Sequence, residues 1–342
     1  MTHVMTKRNP RVAIVSDMSL QRLALAHAVK GQGYDLVLNS SSDRLDEKLF
    51  NSVTPDVWIV DMQEENDDLL DRVLDGGVPV LFGLDQAPAQ GTRQYPRWER
   101  RVFIKLYDVV GHPVIQENLE PLEKAPINPT RPKNVVVPAE LLAYKSSRVE
   151  YVCVLAASLG GPAAVKEFLD YVPTGLPVAF VLAQHIDARM QESLTRVLVR
   201  HNHMPCKVAR SGDSLKNGEL LIAPVETEID FSADGQVVSR NIKWDGPYSP
   251  SIDQTLANVS RRFHKRAIAI IFSGMGSDGS ISGPLMVEAG GVIWAQDDKT
   301  CACPSQPDAM RATGCVSFTG NPFDLANRLV TYINNNLQAT AA

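Results

Sequence analysis

Three apolar runs in the second half of the chain each end on a polar residue set in a turn, and this pattern constrains the fold most. Tyr151-Val152-Cys153-Val154-Leu155-Ala156 runs into Ala157-Ser158-Leu159-Gly160-Gly161-Pro162. Val178-Ala179-Phe180-Val181-Leu182-Ala183 is followed by Gln184-His185, and Ala267-Ile268-Ala269-Ile270-Ile271-Phe272 by Ser273-Gly274-Met275-Gly276-Ser277-Asp278-Gly279. Short apolar runs bounded by turns read as buried strands. Pro162 suits the first position of a helix, where its missing N–H costs nothing. A serine at such a strand-to-helix turn sits at the edge of a sheet, beside helix-start N–H groups able to stabilise an oxyanion. Ser158, His185 and Asp278 at the ends of three strands are the inventory for acyl transfer.

The chain has 342 residues, enough for two domains of ordinary size. Residues 10–112 alternate apolar runs with polar, helix-like stretches: Val12-Ala13-Ile14-Val15, Val57-Trp58-Ile59-Val60, Val78-Pro79-Val80-Leu81-Phe82 and Val102-Phe103-Ile104. That alternation predicts a parallel sheet with helices on its faces. Residues 113–148 hold Pro121, Pro126, Pro129, Pro132 and Pro138 among charges, which reads as a semi-extended linker. Residues 149–338 carry a second α/β pattern, with strands expected near 151–157, 178–183, 220–223, 267–272 and 292–296.

The net charge of −5, with both signs mixed throughout, argues against binding nucleic acid through phosphate contacts. No apolar run reaches the ~20 residues that span a bilayer, so no membrane insertion is expected. Met1 to Pro10 has no apolar stretch and does not read as a secretory signal. The five cysteines are odd in number and form no C-x-x-C, so neither a disulfide framework nor a zinc ribbon is expected, and a reducing cytoplasm fits.

Each polar candidate also has a plainer reading. Ser158 in S-x-G-G can cap a helix, His185 can be a structural histidine, and Asp187 can cap a helix beginning near Ala188. Gly274, Gly276 and Gly279 spell G-x-G-x-x-G, and Asp297 lies near the spacing of a ribose-binding acid. Against a dinucleotide site, that fingerprint starts late in the chain, and Asp278 sets a negative charge where a pyrophosphate belongs. His201 and His203 have only Cys206 nearby and read as surface residues, not metal ligands. Cys301 and Cys303 share a loop, with Cys315 nearby. Arg261-Arg262-Phe263-His264-Lys265-Arg266 reads as a basic helix end matched to the helix dipole, with a docking surface as the alternative.

Together these segments resemble the chemotaxis-type protein-glutamate methylesterases, the CheB-like response regulators. Ala157-Ser158-Leu159-Gly160-Gly161-Pro162 is similar to the family's A-S-T-G-G-P, Gln184-His185-Ile186-Asp187 to Q-H-M-P, and Ser273 to Gly279 to T-G-M-G-x-D-G. Leu221-Ile222-Ala223-Pro224, Ser249-Pro250-Ser251-Ile252-Asp253, Ala295-Gln296-Asp297-Asp298 and Pro304-Ser305-Gln306-Pro307-Asp308-Ala309-Met310 resemble further blocks in the same order. The resemblance implies a doubly wound, mostly parallel α/β domain with Ser158 as nucleophile, His185 as base and Asp278 as orienting acid. Met275 is implied as an oxyanion donor, with Gly160, Gly161 and Gly276 in support. No cofactor is implied for catalysis. Leu159, Ile186-Asp187 and Val225 depart from the pattern without removing the triad.

The first domain resembles a receiver of flavodoxin-like fold. Asp61 matches its phosphoacceptor and Lys105 its lysine, but Ser16-Asp17 keeps one of two metal-binding acids and Gly83 stands at the switch hydroxyl. Magnesium is held through carboxylate oxygens, so the lost acid is expected to weaken its binding. The receiver is therefore expected to be degenerate. The implied activity is hydrolysis of glutamyl methyl esters, and deamidation of glutamines, on the cytoplasmic domain of methyl-accepting chemoreceptors. The rival is a silent adaptor that binds the receptor or a chemotaxis-type histidine kinase.

Overall fold

The computed structural model describes residues 8–62, 67–113, 117–124, 135–144, 146, 148–200 and 204–341. It divides into two compact units, Met1–Ile115 and Gln116–Ala342.

In the first unit, β1 (Arg11–Ser16), α1 (Ser19–Gly31), β2 (Asp35–Ser40), α2 (Glu47–Ser52), β3 (Val57–Asp61), α3 (Asp67–Asp75), β4 (Val80–Leu81) and α4 (Tyr95–Val110) follow in order. The strands form one parallel sheet in the order β2-β1-β3-β4. Its register pairs Val12 with Val57 and Ser16 with Asp61, so Asp61 ends the strand beside the first strand's end. Val102-Phe103-Ile104, expected as a strand, lies inside α4 instead. Trp98, Val102, Phe103 and Leu106 are buried on one side of that helix. Their spacing is helical, and Pro96 in the first turn favours a helix start.

The second unit begins with α5 (Glu120–Lys124) and α6 (Ala139–Ala143). Leu119, Val135 and Leu141 from this proline-rich stretch are buried in the second unit's core. The segment expected as a linker is thus partly packed, because these apolar side chains find a surface to cover. Next come β5 (Tyr151–Ala157), α7 (Gly161–Tyr171), β6 (Val178–Gln184), α8 (Gln191–Val199), β7 (Cys206–Val208), β8 (Leu220–Ile222) and the hairpin β9 (Ile229–Phe231) and β10 (Val237–Ser239). The unit closes with α9 (Ile252–Phe263), β11 (Ala267–Ile271), α10 (Ser282–Glu288), β12 (Val292–Gln296), α11 (Ser305–Ala312), β13 (Val316–Gly320) and α12 (Pro322–Ala341).

Seven of these strands form a parallel sheet in the order β13-β12-β11-β5-β6-β8-β7. The side chains of β5 alternate between two cores. Cys153, Leu155 and Ala157 face Phe168 and Leu329, while Val152, Val154 and Ala156 face Leu256 and Met286. Both faces are covered by helices, as a continuously apolar strand requires. The sheet therefore confirms the doubly wound expectation. The edge strands β7 and β13 were not expected, because their residues are mostly half-buried and carry little apolar signal.

Phe168 is fully buried between Phe180 and Phe272. Truncating Phe168→Ala is expected to cost about 3–5 kcal/mol in urea unfolding. Leu285→Ala, on a half-exposed side chain, is expected to stay within about 0.5 kcal/mol. Equal losses would contradict the packing described.

Candidate active site

The strand order places β5 between β6, which continues the sheet one way, and β11, which continues it the other. Such a reversal opens a crevice at the carboxyl ends of the strands. Ala157 pairs with Gln184, so Ser158 and His185 are the next residues of two adjacent strands. The His185 N–H donates to the Ala157 carbonyl at 3.0 Å, and the Ser158 N–H to the Ser273 carbonyl at 3.1 Å. The Gln184 amide donates to the carbonyls of Ser158 and His185 at 2.8 and 3.1 Å. Backbone bonds on both sides thus hold the serine turn in place.

Ser158 is not a cap. The N-cap of α7 is Gly160, at φ 73°. Any Cβ at Gly160 would lie 2.5 Å from the Ala302 Cβ, so the position needs glycine for both its backbone and its space. At Gly274 a Cβ would meet Gln306 Oε1 at 2.5 Å and Ser158 Cβ at 2.9 Å. The two glycine turns therefore meet directly beneath the serine.

Asp278 is buried, and its Oδ2 lies 3.0 Å from His185 Nε2. The same Oδ2 accepts the Ile252 N–H at 2.6 Å, and Oδ1 accepts the Asp253 N–H at 3.1 Å. These N–H groups open α9, so the carboxylate sits on a helix N-terminus. Burial pushes the Asp278 carboxyl up. The hydrogen bond and charge of His185, with the two backbone N–H groups, outweigh it and hold the group below the ordinary range. An ionised carboxylate only accepts, so Nε2 carries the hydrogen toward Asp278, and in the neutral ring Nδ1 keeps its lone pair. Asp253 in turn accepts the N–H groups of Ile281 and Ser282 at 3.1 and 2.7 Å, capping α10. The Tyr248 ring stacks on His185 with centroids 5.0 Å apart and planes within 7°.

The expected supporting residues separate into two kinds. The Gly161 N–H is taken by the Ser158 carbonyl at 2.9 Å, and the Gly276 N–H by Ser305 Oγ at 3.1 Å. Both hold the turns together. The N–H groups of Met275 and Leu159 donate no hydrogen bond among the described residues. The Gly160 N–H donates to Glu117 Oε1 at 2.6 Å. Ser158 Oγ, Gln184 Oε1 and both polar atoms of the Gln306 amide are buried with no partner among the described residues. Orphaned buried polar groups are costly, and several around one turn mark a place where a ligand or water completes the bonding. Sequence reasoning missed Tyr248, Glu117 and the buried Gln306 amide. Tyr248 stands beside a segment it had quoted and Gln306 inside one, whereas Glu117 lies in the proline-rich stretch and gave no signal.

The first unit offers less. Asp61 accepts from the Ser16 hydroxyl at 3.1 Å, and Asp17 Oδ1 takes the N–H and hydroxyl of Ser42 at 2.9 and 2.7 Å. Lys105, on α4 and not behind a fifth strand, donates to the Gly83 carbonyl at 3.0 Å. A serine fills the second acid's place, and Asp17 is turned to Ser42. No cluster of three metal-ligating side chains occurs among the described residues.

His201 and His203 lie outside the described residues. All five cysteines are free, and burial pushes the Cys206 and Cys301 thiols up to about 12, away from thiolate chemistry. Asp187 caps the short turn after it through the Arg189 N–H. At the basic helix end, Arg261 bonds Asp230 and Arg262 bonds the Ser232 carbonyl. Those guanidinium groups are engaged within the fold.

Residues 153–329 match the family model described as CheB methylesterase. A protein-glutamate methylesterase/protein-glutamine glutaminase of Anaeromyxobacter dehalogenans is 33% identical over 183 residues, covering 53% of this chain and 54% of its own. One of Burkholderia thailandensis is 29% identical over 184 residues, again covering 54% of each chain. The chain thus matches about half the length of these two relatives. A further such protein of Anaeromyxobacter dehalogenans is 27% identical over 347 residues, covering 95% of this chain and 96% of its own. Among solved structures, the CheB methylesterase catalytic domain of Thermotoga maritima is 25% identical, with a TM-score of 0.51, over 53% of this chain and 98% of that one.

The lowered Asp278 carboxyl stabilises the fold fully above its unfolded pKa, about 3.9. That contribution is lost as pH falls through the lower folded value. The stability gap between the protein and Asp278→Asn is therefore expected to be largest at neutral pH and to shrink below about pH 4. Urea unfolding across pH checks this, and a gap independent of pH would contradict it.

Proposed function

The chain belongs to the CheB methylesterase family, and from that premise we propose that it is a serine hydrolase removing methyl esters from glutamate side chains of chemoreceptors. Deamidation of receptor glutamines by the same route is part of the proposal. The observation that carries it is the convergence of Ser158 and His185 on paired strand ends, with Asp278 3.0 Å from His185 Nε2.

Ser158 Oγ attacks the ester carbonyl carbon, and His185 Nδ1 accepts the serine proton. Asp278 holds the ring and stabilises the imidazolium that forms. The negative charge on the carbonyl oxygen is met by the N–H groups that the turns leave free, those of Met275 and Leu159. The C–O bond then breaks, and methanol leaves with the proton from His185. Water attacks the acyl-serine, gives a proton to His185, and releases the glutamate side chain with Ser158 restored. From glutamine the leaving group is ammonia. Every step uses side chains and backbone of the chain itself, so no cofactor enters.

The partner in this reading is the cytoplasmic domain of a methyl-accepting chemoreceptor, and the enzyme acts in the cytoplasm. No helix among the described residues is long and apolar enough to cross a membrane. The receiver-like unit is read as degenerate. Its acids and Lys105 are held by Ser16, Ser42 and Gly83.

Methanol release from methylated receptor is expected from the purified protein and to fall at least ~10³-fold in Ser158→Ala. Release unchanged by Ser158→Ala contradicts the assignment, and no release from the folded protein favours the adaptor reading. Acetyl phosphate with magnesium is expected to leave Asp61 unmodified by mass spectrometry. Stoichiometric labelling there would overturn the degenerate receiver.

A further inference from the structure

Glu117 carries the side chain that the proposed reaction produces, and it is already bound at the serine turn. Its Oε1 accepts the Gly160 N–H at 2.6 Å. That N–H lies two residues beyond Ser158, on a left-handed glycine that caps α7. Nothing else among the described residues accepts from it. A charge-assisted bond this short at a helix N-terminus is a favourable carboxylate contact.

A second observation points to the same place. Ser158 Oγ is fully buried with no partner among the described residues, as are both polar atoms of the Gln306 amide, and Gln306 and Ser158 both crowd the Gly274 turn. The turn thus offers an unfilled nucleophile and a filled anion position side by side. Glu117 is brought there by the chain around it. Leu119 is buried in the core of the second unit, and Asn118 Oδ1 accepts the Glu120 N–H at 3.0 Å, starting α5. Half-buried Glu117 is held between that anchor and the turn. Burial raises its carboxyl, and the Gly160 bond offsets part of the rise.

We propose that the Gly160 N–H marks the subsite for the side-chain carboxyl of a glutamyl substrate, and that Glu117 is an internal product mimic the substrate must displace. This rests on the esterase reading for its substrate, though the subsite itself is testable without turnover. A glutamyl ester presents a carbonyl oxygen where Glu117 presents a carboxylate oxygen, so the two compete for one donor. Internal occupancy lowers the fraction of competent enzyme and raises the apparent KM, while kcat at saturation is unaffected.

The test compares the full chain with Glu117→Ala and Glu117→Gln on methylated receptor cytoplasmic domain. Glu117→Ala is expected to lower KM by about threefold to tenfold with kcat unchanged. Glu117→Gln keeps an acceptor oxygen without the charge and is expected to fall between. In the Ser158→Ala background, N-acetylglutamate α-amide is titrated while the Gly160 amide is followed by NMR. Its binding is expected to tighten by the same factor when Glu117 is removed. Exposed Glu120→Ala is the control for a change in linker charge. If turnover proceeds but neither KM nor probe affinity responds to either Glu117 variant, the inference falls and the esterase reading stands. If no variant turns over but the probe tightens at Gly160, the subsite stands and the esterase reading falls. A drop in kcat with KM unchanged in both variants would mean that Glu117 only supports the fold, and overturns the proposal.

Discussion

The buried carboxylate of Asp278 is the constraint on which the rest of the site depends. An isolated carboxylate in that position would cost several kcal/mol. It is tolerated because His185 Nε2 and the N–H groups of Ile252 and Asp253 all point to it. Each of those donors has a consequence. The backbone pair fixes where α9 begins. The imidazole contact fixes which ring nitrogen holds a hydrogen, and so which one is free to act as a base. Asp253 then starts α10, so two helix N-termini and the histidine are set by two acids close in space.

The sheet brings the serine to this assembly. β5 is the strand at which the order of a doubly wound sheet reverses, and its end lies between the ends of β6 and β11. The Ser273 carbonyl, which accepts the Ser158 N–H, and the Gln184 side-chain amide, which donates to the Ser158 carbonyl, restrain the turn on either side. Gly160 and Gly274 let the two turns approach until a methyl group would collide. The rigid part of the site is therefore built from main chain, the Gln184 amide and two buried acids, and its buried polar atoms without a partner among the described residues belong to Ser158, Gln184 and Gln306.

Much of this was legible in the sequence because the second unit's central strands are apolar on both faces and end in glycine turns. The same physics made Ser158, His185 and Asp278 recognisable as strand-end residues. Val102-Phe103-Ile104 misled because a short apolar run does not reveal its period. Only with Trp98 and Leu106 does the helical face emerge. The half-buried edge strands β7 and β13 carried too little apolar contrast. Glu117 and Tyr248 were hidden for another reason. Their roles come from tertiary contacts, with Gly160 and the His185 ring, that no local pattern encodes.

The measurement that tests this account most directly is the ¹⁵N spectrum of the neutral His185 ring, in the protein and in Asp278→Asn. The structure predicts a protonated Nε2 bonded to Asp278, with Nδ1 bare, and a ring whose tautomer balance shifts when the carboxylate is removed. A protonated Nδ1 in the unaltered protein, or a spectrum indifferent to Asp278→Asn, would contradict it.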